Sequence, residues 1–149
     1  WFFKAHALTS LDNYDEALNS LYKSLNLNYE NIGALSKMSI LLILGNFNEA
    51  LDCYNKSLKI EPSNVNVLND KGWALGKIVV EEGLSYINKS LELGPNNADI
   101  LYNKRYILEK LKRYQESLEY YDKSLKINNN DTDALEGLER VLKKIKDIN

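Results

Sequence analysis

With a single cysteine and a single histidine, the chain can close no internal disulfide and has no cysteine pair or His-x3-His spacing with which to hold a metal. Hydrolytic and group-transfer chemistry usually recruits a histidine, a cysteine pair or carboxylates at a fixed gap. His6 and Cys53 stand far apart, at positions that read as surface, so no catalytic residue, metal or cofactor is expected, and the chain is not read as an enzyme. Its seven glycines stand singly, which excludes a glycine-rich phosphate loop. Its longest apolar run, Ile40 to Leu44, is far short of the ~18 residues a membrane helix needs. A net charge of -2 with no basic block gives phosphates little attraction, so neither nucleic acid nor membrane is expected as a partner. The chain is read as having no charged-then-apolar leader before the first repeat, and the cytoplasm is the expected location.

What is present is a beat. Lys-Ser-Leu recurs at Lys23, Lys56, Lys89 and Lys123, at separations of 33, 33 and 34 residues. Tyr14, Phe47, Val80 and Tyr114 keep the same phase, as do Ala17, Ala50, Gly83 and Ser117, and Lys4, Lys37, Lys71 and Lys104. A period of this length means stacked units, none of which buries its apolar face alone.

The second unit shows the composition of one repeat. Ala34, Met38 and Leu41 fall on one face of a helix running from about Asn31 to Leu44. Gly45-Asn46 then reads as a stop, with Gly45 expected in the left-handed conformation that closes a helix. Ala50, Tyr54, Ser57 and Leu58 form the stripe of a second helix, which Pro62 ends. Two helices joined this closely lie antiparallel, and small residues at Ala50 and Ser57 let them approach.

These residues carry a family resemblance. Gly45-Asn46-Phe47-Asn48-Glu49-Ala50-Leu51 followed by Tyr54-Asn55-Lys56-Ser57-Leu58-Lys59-Ile60-Glu61-Pro62 resembles the tetratricopeptide repeat, and Arg113-Tyr114-Gln115-Glu116-Ser117-Leu118 with Tyr121-Asp122-Lys123-Ser124-Leu125 matches nearly as well. The resemblance implies an all-α, right-handed α-α superhelix of four helical hairpins plus a C-terminal capping helix. The expected layout is one array over 1–149, with repeats at about 1–30, 31–64, 65–97 and 98–131 and the cap at about 132–147. The third unit departs from the pattern: ten residues separate the recurrent lysine from the turn aromatic elsewhere, but nine separate Lys71 from Val80. A tight corner, a second helix starting near Glu81 and, with Gly83 in place of alanine, the softest hairpin are expected there. The cap should start at Asp131 or Thr132, turn Ala134, Leu135, Leu138, Val141, Leu142 and Ile145 inward, and keep Glu136, Glu139 and Arg140 outside.

A second stripe on each first helix lies about 100° from the packing stripe. By resemblance it lines a groove for a protein or peptide segment. The candidate binding residues are Leu35, Ser39, Asn66, Asn69, Trp73, Tyr102 and Tyr106, the aromatics giving contact area and the asparagines hydrogen-bonding a peptide backbone. In the first repeat the stripe is Phe2, His6, Thr9 and Ser10, while Leu42 is read as core. The lysine, asparagine and arginine clamp with which family members grip acidic chaperone tails has no counterpart, since the matching places hold Phe2, His6, Ser36, Asn66 and Asp70. The recurrent lysines read as stems laid over apolar surface with their ammonium groups in water, in preference to a cationic ladder. A self-associating structural module, possible as a homo-oligomer, and a regulatory domain of a larger protein are the alternatives to a peptide-binding scaffold.

Overall fold

The computed structural model describes residues 13–27 and 32–148. Among them all regular structure is helical: α1 (Tyr14–Leu27), α2 (Ile32–Ile43), α3 (Phe47–Ile60), α4 (Val65–Leu75), α5 (Val80–Leu93), α6 (Ala98–Lys110), α7 (Tyr114–Ile127) and α8 (Thr132–Ile148). The chain divides into two compact units, Trp1–Val67 and Leu68–Asn149.

Asparagine and aspartate start most of these helices, because a short side-chain acceptor can satisfy amides that have no partner in the first turn. Asn46 accepts from the Glu49 amide at 3.3 Å and donates to the Glu49 carboxylate at 2.8 Å. Asn64 accepts from the Val67 amide, Asn97 from the Asp99 and Ile100 amides, and Asp131 from the Ala134 amide. Asp131, rather than Thr132, is therefore the cap of α8. The left-handed turn falls elsewhere than expected: no described glycine has a positive φ, and the residue that does is Lys112, at 58°. Lys112 holds in the fourth repeat the place of Gly45 in the second. There the Arg113 amide reaches back to the Leu108 carbonyl at 2.9 Å and closes α6.

In the first unit α2 packs on both α1 and α3. Ala34, Met38 and Leu41 are buried with Ala50, Tyr54 and Ser57, so the expected packing faces meet. Cys53 is buried as well, which corrects its reading as a surface residue; loss of solvent raises its thiol pKa, with Lys56 opposing.

In the second unit the third hairpin is built on glycine. A Cβ at Gly72 would stand 2.8 Å from the Ile87 side chain, and one at Gly83 would stand 2.5 Å from the Gly76 nitrogen and 2.6 Å from the Gly72 carbonyl. α4 and α5 thus touch backbone to backbone. Gly83 is the condition of that contact, whereas helix propensity alone reads it as a weak point. The shortened corner lets α5 start at Val80, one residue before the expected Glu81. α6 packs on α5 and α7, and α8 on α7. Tyr121, Ala134 and Val141 centre the last core cluster, with Tyr114, Leu118, Leu125, Leu138 and Ile145 around them. Gly137 backs directly onto the Tyr121 ring. Leu135 and Leu142, assigned to the inward stripe of α8, are instead exposed. Among the described residues no helix is long and apolar enough to cross a membrane.

Candidate functional site

α4 and α6 each present an aromatic ring, and one lysine spans the two. Lys77 Nζ lies 4.5 Å from the centroid of Trp73 and 4.6 Å from that of Tyr106, and it donates to the Tyr106 hydroxyl at 3.1 Å. Lys110 stands 5.4 Å from the same Tyr106 ring. The hydrogen bond from Lys77 holds the Tyr106 phenol below its ordinary pKa, against the effect of burial. Trp73 and Tyr106 are half-buried and Tyr102, one turn earlier on α6, is 45% exposed. These rings therefore keep a face toward solvent. Asn69 is buried and its carbonyl accepts from Asn103 at 3.0 Å, one repeat further on. That bond ties α4 to α6 and takes up an acceptor that the sequence reading assigned to a ligand.

Tyr102 and Tyr106 also form one wall of a cleft of about 250 Å³ between α6, α7 and α8. Arg105 lies in its floor with its guanidinium between the Tyr102 ring, at 4.8 Å, and the Tyr121 ring, at 4.7 Å. The residue is buried, its Nη1 has no hydrogen-bond partner, and its nearest carboxylate is Asp131 at 3.9 Å. Glu109 receives Arg140 through both carboxylate oxygens and accepts a hydrogen bond from the Tyr121 hydroxyl. Burial first and Glu109 second raise the Tyr121 pKa. Asp133 and Glu136 line the cleft from α8. The cleft is thus aromatic-walled with both signs of charge at its edge, a lining that suits a polypeptide segment with mixed side chains.

Of the candidate residues, Asn69, Trp73, Tyr102 and Tyr106 come together in the second unit. Leu35 and Ser39 are both buried in the first unit, and the Ser39 hydroxyl donates back to the Leu35 carbonyl at 2.8 Å. α2 is apolar around most of its circumference, so the stripe taken for a groove is core there, and Leu42 is buried as expected. Asn66 is exposed at the start of α4. Phe2, His6, Thr9 and Ser10 lie outside the described residues. The lysine reading also changes: Lys71 and Lys104 are buried, Lys71 donating to the Tyr86 hydroxyl at 2.7 Å and Lys104 to the Asn88 carbonyl. Their ammonium groups are held by the protein and are not in water. Lys4 lies outside the described residues. Sequence reasoning missed Arg105, Tyr121 and Arg140 as site residues. Arg140 had been placed on the outer side of the cap; its one sequence signal is that it follows Glu136 by four residues and so shares its helix face.

The tetratricopeptide repeat family profile matches residues 1–31, 39–64 and 98–131, more than half of the chain, and passes over the third repeat. No curated protein matches the chain. Among solved structures, PilF of Pseudomonas aeruginosa is similar over 98% of this chain and 68% of its own, with 21% identity and a TM-score of 0.87. MamA of Desulfovibrio magneticus RS-1 is similar over 96% of this chain and 82% of its own, at 19% identity and a TM-score of 0.86. Another MamA structure covers 95% of this chain and 84% of its own, at 16% identity and a TM-score of 0.84. At these identities the likeness shows the fold, an all-α solenoid of helical hairpins, and nothing finer.

Proposed function

The chain belongs to the tetratricopeptide repeat family, and on that premise we propose that its second unit captures a partner polypeptide along α4 and α6. Repeats of this family make protein-interaction scaffolds. The observation that carries the finer reading is the exposure of Trp73, Tyr102 and Tyr106: large rings kept partly in solvent, with Lys77 stretched across two of them. Aromatic side chains of this kind supply contact area at little conformational cost and dominate interface energetics. A bound segment would run over the Trp73 and Tyr106 faces and enter the cleft beside Tyr102. Lys77, Arg140 and Asp133 would meet its polar groups. No bond is made or broken; the mechanism is presentation of a shaped surface.

The test uses a photo-crosslinking amino acid at position 102 of the chain in its host cell. Partner adducts are expected at that position, with recovery falling about tenfold or more in Trp73→Ala and Tyr106→Ala, while circular dichroism keeps the parent helicity. Loss of helicity in either variant would return those rings to the core and end the proposal, and so would adducts indifferent to both substitutions.

A further inference from the structure

A second surface in the same unit shares no residue with the Trp73 strip or its cleft. A groove of about 720 Å³ runs between α5 and α7. Leu91, Leu101, Tyr120 and Ile127 give it an apolar lining, and Ile127 is 49% exposed. Lys123 and Lys126 line it from α7, and the sole acidic residue among its lining is Glu92 on α5.

Lysine outnumbers acid in this lining, two residues to one. Beneath it, Lys104 is buried with its ammonium bonded to the Asn88 carbonyl and 5.3 Å from the Tyr120 ring. Lys123 Nζ lies 4.6 Å from that same ring, so one phenol carries two cations. Among the described residues none of Lys104, Lys123 and Lys126 forms an ion pair. Glu116, the acid whose charge Lys104 feels, is already engaged by Arg113 through both oxygens. Burial lowers the Lys104 pKa, and Arg113 and Lys123 lower it further, with Glu116 opposing them. Like charges brought together beside an apolar, poorly solvated lining favour a guest that brings the opposite sign.

We infer that the α5–α7 groove is a docking site for an acidic amphipathic helix of a partner protein, its apolar side chains on Leu91, Tyr120 and Ile127 and its carboxylates toward Lys123 and Lys126. Apolar anchors at helical spacing fit a groove between two helices. A nucleic acid would meet the same lysines, but the chain as a whole carries a net charge of -2. This inference goes beyond the reading of the Trp73 strip and stands or falls apart from it.

The probes are three synthetic helix-forming peptides with leucines at i, i+4 and i+7 and, between them, glutamates, glutamines or lysines. Each is titrated into the isotope-labelled full chain while backbone amide resonances are followed. The glutamate peptide should give saturable shifts at Asn88, Leu91, Tyr120 and Lys126, bind at least about tenfold more tightly than the glutamine peptide, and compete successfully where the lysine peptide does not bind. The double variant Lys123→Glu/Lys126→Glu, altered only at exposed positions, should keep its helicity and lose about tenfold or more of that affinity. Equal affinity for all three peptides, absence of saturable shifts, or shifts confined to Trp73, Tyr102 and Tyr106 would each overturn the inference. The last of these outcomes would leave the strip reading standing.

Discussion

The third and fourth hairpins solve one packing problem in opposite ways. Where α4 faces α5, Gly72 leaves the space and Ile87 fills it. At the corresponding place in the next repeat α6 carries Arg105, and the residue opposite is Tyr121. One hairpin closes by removing a side chain; the other stacks a buried guanidinium between two rings. The glycine solution brings backbones into contact. The arginine solution leaves a buried cation with an unbonded Nη1, opens a cleft beside it and recruits Glu109 and Arg140 at its edge. The cleft therefore sits on the hairpin that departs from apolar packing, next to the Trp73 and Lys77 side chains of the third repeat.

This comparison can be broken most severely at Arg105. Arg105→Ala should cost about 3 kcal/mol, because it opens a cavity between Tyr102 and Tyr121 and leaves Asp131 without its cation. Arg105→Met, which fills the space without charge, should stay within about 1 kcal/mol of the parent, since buried ionic groups are often replaceable by apolar ones of similar volume. Urea denaturation of both variants checks this; equal losses would mean that the charge, and not the filling, supports the hairpin. Next is Gly83→Ala, whose Cβ would press on the backbone of Gly72 and Gly76. A net loss of about 2 kcal/mol is expected despite alanine's better helix propensity. The corresponding Ser117→Ala in α7 should lose less than about 1 kcal/mol, the value of one hydrogen bond to the Tyr114 carbonyl. A neutral Gly83→Ala in the same denaturation series would show that the two helices can part freely.

Tyr121 sharpens the contrast through pH. Its folded pKa is raised above the ordinary value of 10, so its contribution is complete below pH 10 and is lost as pH rises through the higher folded value. Tyr121→Phe should cost about 1 kcal/mol at neutral pH, where it leaves Glu109 and Arg140 short of a partner. The gap to the parent should narrow above pH 10 in alkaline unfolding curves, and a gap independent of pH would contradict the hydrogen-bonded assignment. The smallest effect is expected at Lys112, whose φ of 58° burdens a side-chain-bearing residue. Lys112→Gly should raise stability by about 0.5–1 kcal/mol in thermal or urea melts; a loss there would mean that the residue's own contacts outweigh the backbone cost.

Much of this was legible from residue spacing. The interval between Lys-Ser-Leu phrases, the start at Asp131 and the apolar stripes determined where the helices lie and which faces of α2 and α3 are buried, because helix periodicity and capping act over a few neighbouring residues. Trp73, Tyr102 and Tyr106 were likewise marked by their common phase on the first helices. Tertiary structure alone decided the rest. Leu35 and Ser39 stand in the same phase as Tyr102 and Tyr106, which reach solvent, yet α2 buries them. Gly83 looks like a defect until the Gly72 and Gly76 backbones are found against it, and Arg140 looks like a solvent residue until it meets Glu109 across 31 positions. The physical reason is range: a helix is written by contacts within about four residues, whereas burial, buried charge and clefts depend on which faces distant segments press together.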